Sequence, residues 1–392
     1  MKYNFDEVID RIHEEGSYSS KWSDSPRMAA MFKTDKLPDD RLPFFLADMD
    51  FRCAPEITEA VMKVAQHGLY GYSSAPNEYF EAVCGWMNSR FGMNIKPEHI
   101  IPCRGAHTAI VEAILRLSKV GDGIIVPRPT YYYSSDVKDN GRHYVGFQMN
   151  NDNGYYTYDW ETFEALCKEP QNTMAIFQQP HNPTGRTWTP EEIRKMADIC
   201  RRNNVIMICD DVHMDIHRTD IKVVPFITEV GPEGIVMVTG ANKTFNTAGL
   251  AVTNIIIQDD ALREKFGSLH TGMSPFSIAA GIAAYEKGGQ WVDELNEYLD
   301  GTIEYVVNRF HTELPKVKVW KPEGTYILWL DFTDLGYTSE ELDQRIAGQA
   351  HISFSDGKGM ECPEGTIFRR FCVTAPMSTL KEVMDRLVKC LK

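Results

Sequence analysis

The chain has no long uncharged apolar run, no paired cysteines and no basic stripe, and each absence removes a class of function. No segment approaches the roughly 20 uncharged apolar residues that a membrane span requires. The opening Met1-Lys-Tyr-Asn-Phe-Asp-Glu7 lacks the apolar core of a secretory signal. The expected location is the cytoplasm, with no membrane partner. The nine cysteines (53, 84, 103, 167, 200, 209, 362, 372 and 390) are scattered, odd in number and never spaced C-x-x-C. That pattern argues against a disulfide framework or a zinc site and for reduced thiols. A net charge of -14 and a pI near 5.3 argue against a nucleic-acid partner, because a phosphate-backbone binder needs clustered cations to displace counterions.

What remains is a chain of 392 residues, 43% hydrophobic and 24% charged, without repeats or low-complexity tracts. That length suits two domains, since single cores stop growing near roughly 250 to 300 residues. From about 55 to 285, short apolar runs alternate with helical patterns: Ile124-Ile-Val126, Met174-Ala-Ile-Phe177, Val205-Ile-Met-Ile-Cys209, Ile235-Val-Met-Val238 and Val252-Thr-Asn-Ile-Ile-Ile257. The pattern predicts an α/β fold with a doubly wound, mostly parallel sheet. Thr189-Pro190-Glu191-Glu192 predicts a helix from Thr189 to about Arg202, Pro55 and Gly68 bracket another, and a long helix is expected from about Trp291 to Leu314. The runs Val317–Trp320, Thr325–Asp331 and Phe368–Val373 read as a second, smaller α+β sheet. The expected division is a large domain over 51–288 and a small one built from 1–50 and 289–392, with an N-terminal helix over Phe5–Glu15.

In open α/β sheets ligands bind beyond the carboxyl ends of the strands, so polar residues directly after apolar runs are the places to look. Five stand out. Arg104-Gly105-Ala106-His107 opens a helical pattern, and a glycine there leaves free N–H groups for an anion; an ordinary loop-to-helix junction reads the same way. Tyr131 can stack on a flat ring or sit as a half-buried aromatic. Asn182, in His181-Asn-Pro-Thr-Gly-Arg186, offers an amide to a phenolate oxygen, or marks a plain turn. Asp210 can pair with a pyridinium nitrogen. There the alternating Asp211, His213, Asp215 and His217 also admit a metal site on one face of an extended strand. Lys243 follows a buried-looking strand, and a desolvated lysine can form a Schiff base.

The order and spacing of Gly105, Tyr131, Asn182, Asp210, His213 and Lys243 resemble those of fold-type I enzymes that use pyridoxal 5'-phosphate (PLP), in the class I/II aminotransferase group. Lys21-Trp22, Ala47-Asp-Met-Asp-Phe51, Gly71-Tyr-Ser73, Pro322–Phe332 and Phe354-Ser355 narrow the resemblance to its MalY/PatB-type carbon–sulfur lyases, over nearly the whole chain. The resemblance implies that Lys243 forms the Schiff base with PLP and Asp210 partners the pyridine nitrogen. It puts Asn182 and His213 beside the ring's O3′, Tyr131 against its face, and Ala106 and His107 on the phosphate. Tyr72 would reach the phosphate from a neighbouring subunit, implying a homodimer, and Arg370 would bind the substrate carboxylate. No metal is implied. Four positions depart from the usual pattern: Asn242 before the lysine, no Arg within Thr244–Thr253, Cys372 two residues after Arg370, and Arg369 beside it.

The reaction so implied is α,β-elimination from cystathionine or another cysteine S-conjugate, giving a thiol, pyruvate and ammonia. Amino transfer to a 2-oxo acid uses the same residues, and a catalytically silent regulator on this fold is a third reading.

Overall fold

Seven strands hydrogen-bond into one sheet in the computed structural model, which describes residues 1–13, 16–269 and 272–392. They are β1 (Ile100–Cys103), β2 (Gly123–Arg128), β3 (His143–Gln148), β4 (Asn172–Gln178), β5 (Ile206–Asp210), β6 (Ile235–Gly240) and β7 (Thr253–Ile256), in the order β1-β7-β6-β5-β4-β2-β3. Only β7 runs against its neighbours; β3, β2, β4, β5 and β6 are parallel. Successive side chains of one strand enter opposite cores: Ile124 and Val126 pack on one face of the sheet while Ile125 packs on the other. A strand covered on both faces is apolar throughout, which is why these segments read as unbroken runs.

Register aligns the strand ends. Gln178 of β4 lies beside Asp210 of β5, and Asp210 beside Val238 of β6. Strand β6 continues to Gly240, where a Cβ would sit 2.4 Å from the Val252 carbonyl oxygen, so only glycine lets the two backbones approach there. The short helix after it carries Lys243. The parallel strands therefore deliver their following loops, with Asn182, Asp210 and Lys243, to one edge of the sheet.

The helix α1 (Pro190–Arg202) begins at Thr189 with a reciprocal capping box, Glu192 N–H to Thr189 Oγ1 and Thr189 N–H to Glu192 Oε2. A long helix, α2 (Gly289–Glu313), leads to a four-stranded antiparallel sheet, β8 (Lys318–Val319), β9 (Ile327–Asp331), β10 (Ser355–Asp356) and β11 (Phe368–Cys372), ordered β8-β9-β11-β10.

The expected N-terminal helix does not form over residues 5–13, and Glu14 and Glu15 lie outside the described residues. Side chains there take the backbone donors a helix would need: Asn4 accepts from Asp6 N–H, and Asp10 accepts from Ile12 and His13 N–H. Phe5 instead anchors the segment, its ring 5.3 Å from Phe51, 5.5 Å from Trp291 and 5.4 Å from Tyr298.

Candidate active site

At that sheet edge lies a cavity of about 150 Å³ whose wall includes Ala106, His107, Tyr131, Asn182, Asp210, His213 and Lys243. The lysine and the carboxylate thus open into the same space. The Lys243 ammonium donates to the Ala47 carbonyl at 3.1 Å. Burial, and then the nearby Arg370 charge, hold its proton affinity below that of an ordinary lysine.

Asp210 is buried, and burial raises its carboxyl above the usual range. Two donors oppose that: the Tyr133 hydroxyl at 2.6 Å on Oδ2, and the Val212 N–H at 3.4 Å on Oδ1. Tyr133 is itself fully buried. Sequence reasoning passed over it in favour of Tyr131, although the run Tyr131-Tyr-Tyr133 places both in reach of the site.

Gly105 is the N-cap of a helix spanning Ala106–Leu117, and no side chain caps it. The first-turn N–H groups at Ala106 and His107 therefore have no partner within the helix and sit on the cavity wall. His107 Nδ1 donates to Asp136 Oδ2 at 2.6 Å, which raises its proton affinity. Its ring lies 5.3 Å from that of Tyr131. Tyr131 faces the Arg370 guanidinium at 5.6 Å. Arg370 donates to Asn182 Oδ1 at 3.3 Å and to the Phe45 carbonyl at 3.0 Å. His213 stands edge-on to Tyr326 at 5.6 Å, and burial lowers its imidazole to about 3, so it is neutral at physiological pH.

Gln178 Oε1 and His213 Nδ1 on this wall are buried with no hydrogen-bond partner among the described residues, and neither is Arg370 Nε satisfied. Unsatisfied polar atoms around an amine, a carboxylate and an open helix N-terminus offer both the donors and the acceptor that a heteroaromatic phosphate requires. The residues present fit PLP.

The family model for aminotransferase class I and II matches residues 46–387. The chain belongs to that family. It is 34% identical to cystathionine beta-lyase PatB of Bacillus subtilis (strain 168) over 99% of this chain and 100% of that one. To protein MalY of Escherichia coli (strain K12) it is 27% identical, over 100% of this chain and 99% of that one. Cystalysin from Treponema denticola, whose structure contains pyridoxal 5'-phosphate, superposes with a TM-score of 0.92 at 29% identity, over 100% of this chain and 99% of that one. The PLP-binding aminotransferase-family fold is thus established, in its PatB/MalY branch, with PLP as cofactor.

Two of the four departures, Asn242 and Arg369, have definite bonding partners. Asn242 staples the lysine loop to β7, donating to Thr253 Oγ1 at 2.9 Å and accepting from the Val252 N–H at 2.8 Å. Arg369 alternates to the opposite face of β11 from Arg370 and is spent on Asp343 (2.8 Å), Asp356 (3.1 Å) and Ser339 (2.7 Å). Cys372 is buried beneath the site, and burial raises its thiol.

The alternative of a metal site on one face of an extended strand is overturned. The strand before the acidic run ends at Asp210, and residues 211–217 turn, so Asp211, His213, Asp215 and His217 do not share one face of an extended strand. Asp215 is taken by Trp86 Nε1 (2.9 Å) and Thr244 Oγ1 (2.8 Å), and His217 Nδ1 lies 2.9 Å from the Arg218 carbonyl. Tyr72 does not reach the cavity of its own chain; it stands fully exposed before the helix Asn77–Phe91.

Proposed function

We propose that this protein is a PLP-dependent carbon–sulfur β-lyase that cleaves cystathionine or related cysteine S-conjugates. The observation that carries the lyase reading over amino transfer is the full-length likeness to PatB, named as a cystathionine beta-lyase. Bound PLP supplies an aldehyde for the substrate's amine and an aromatic sink for the electrons left at Cα.

The chain's own residues do the rest. Lys243 would hold the cofactor through Nζ, and its buried amine would take the proton from the substrate Cα. Asp210, whose charged form the Tyr133 hydroxyl favours, would hold a proton on the cofactor's ring nitrogen. Asn182 would donate to the ring's phenolate oxygen with neutral His213 beside it. Tyr131 would cover the ring face, while the N–H groups of Ala106 and His107, opened by Gly105, would bind the phosphate. Arg370, already oriented by Asn182 and Phe45, grips the substrate carboxylate as a two-pronged ion pair.

The assembly we infer is a homodimer in which Tyr72 of a second copy completes the phosphate site, its full exposure on one chain supporting the assignment. The division at 51 and 289 into large and small domains belongs to the same reading. Among the described residues no helix is long and apolar enough to cross a membrane. The nine unpaired thiols suit a reducing cytoplasm, where we place the protein.

The test is pyruvate formation from cystathionine without any 2-oxo acid. Steady release supports elimination; product that appears only when a 2-oxo acid is added assigns the protein to amino transfer instead.

A further inference from the structure

The stretch Ala47-Asp-Met-Asp-Phe51 is held from two sides. From the active site, Asn246, three residues after Lys243 and at φ 57°, bonds to both backbone groups of Met49 (3.0 Å each) and to the Phe51 carbonyl (2.9 Å). From the other side, Lys21, which is wholly buried, donates to Asp50 Oδ2 at 2.8 Å and to the Asp48 carbonyl at 3.1 Å. Trp22 Nε1 and Arg11 Nη1 both donate to Asp50 Oδ1 at 3.0 Å, and Arg11 also donates to the Met49 carbonyl at 3.1 Å. The Asp50 N–H donates to the Thr374 carbonyl, two residues beyond Cys372.

A buried ion pair is poor evidence of stabilisation, because desolvating both charges offsets their attraction. Its geometric effect is clearer. Lys21 and Arg11 hold the backbone at Asp48 and Met49, and with Trp22 they anchor the Asp50 side chain, immediately after Ala47, whose carbonyl accepts from Lys243 at 3.1 Å and from the Tyr326 hydroxyl at 3.3 Å.

We propose that the Lys21–Asp50 pair, with Trp22 and Arg11, is a positioning device for Lys243: it fixes the Ala47 carbonyl as acceptor for the catalytic amine and so governs how readily that amine sheds its proton. The inference rests on Lys243 being the cofactor-binding lysine. A carbonyl acceptor favours the ammonium over the free amine, so slackening the clamp favours the free amine. The other charged or titratable groups facing Lys243 are Arg370 and Cys372 from β11, Asp48 from the clamped stretch, Asp210 from β5, and His213 and His107 across the cavity. None of them is altered by the test.

The test is the pH dependence of PLP capture by apoenzyme, followed as growth of visible absorbance, which reads the free-amine fraction without any turnover. The double variant Lys21→Met with Asp50→Asn removes the clamp's ion pair and its Lys21 bonds while leaving the pair's summed charge at zero, so direct charge effects on Lys243 largely cancel. We expect its capture midpoint at lower pH, with capture below the wild-type midpoint roughly five- to tenfold faster, the scale of a weakened hydrogen bond to an ammonium. Trp22→Phe, which removes one donor and no charge, should shift the same way by about two- to threefold. An unchanged or raised midpoint in either variant overturns the proposal. If the double variant fails to fold, Trp22→Phe alone decides by the same criterion. Lys243→Ala separates the two levels: capture persisting there sinks the assignment of Lys243 itself, whereas capture lost there with unmoved midpoints in the clamp variants sinks only the positioning role.

Discussion

Tyr133→Phe is the sharpest probe of how the buried carboxylate is kept charged. Asp210 sits where burial raises its carboxyl above the usual range, and its strong donor is one hydroxyl at 2.6 Å; the Val212 N–H at 3.4 Å is weak. The substitution removes only that oxygen, leaving the ring packed 6.2 Å from Tyr131. A hydrogen bond to a charged group contributes roughly 1.5–3 kcal/mol. If all of it bears on the carbanion that Asp210 supports through the ring nitrogen, kcat falls by about 10- to 150-fold. The sign of the pH effect follows. Tyr133 lowers the proton affinity of Asp210, activity needs the anion, and so losing the donor moves the acid limb of the kcat/KM profile to higher pH. The assay is β-elimination followed by pyruvate across the acid range. An acid limb that stays in place, with kcat within about twofold of wild type, would refute the assignment of Tyr133 as the group that keeps Asp210 ionised.

Four further outcomes are expected. Asp210→Asn should slow turnover far more than it weakens PLP retention on dialysis; equal losses contradict its electronic role. Arg370→Lys should lower kcat/KM by about 30-fold or more, because a point charge cannot replace the fork that Asn182 and Phe45 orient. Asp211 is buried with neither oxygen bonded among the described residues, and burial followed by the Asp210 charge raises its carboxyl well above the usual range. Below the unfolded pKa of about 4 it is neutral in both states, and above it only the unfolded chain ionises, so stability falls as pH rises. Asp211→Asn should therefore raise Tm near neutral pH, with the gain vanishing toward pH 4; a pH-independent difference would contradict this. Mixing Tyr72→Phe with Lys243→Ala should restore activity, since each mixed dimer would hold one intact site, about a quarter of all sites after random reassociation; no recovery argues against sharing across subunits.

Much of this arrangement was legible in the chain because central parallel strands must be apolar on both faces. Every strand announced by an unbroken run (β2, β4, β5, β6, β7) lies inside the sheet. The two that went unread, β1 and β3, are its edges, where one flank needs no partner: β1 carries Pro102, and β3 mixes His143 and Gln148 with partly buried residues. Asp210, Asn182 and Lys243 were legible because strand ends fix where such residues emerge. Tyr133 was not, since three consecutive tyrosines give no local signal of which hydroxyl turns inward. The Lys21–Asp50 clamp joins side chains 29 residues apart, across a short helix and a two-residue strand, and no periodicity marks it. The failed N-terminal helix shows local Asx contacts overriding an apparent helical pattern.

The central claim is that Lys243 and Asp210 address one heterocycle from opposite sides of a single cavity. A crystal structure of the PLP-loaded protein tests it directly. The account predicts continuous electron density from Lys243 Nζ to the cofactor's aldehyde carbon, with the ring nitrogen within about 3 Å of an Asp210 oxygen. Density attached to a different lysine, or a ring nitrogen turned away from Asp210, would contradict it.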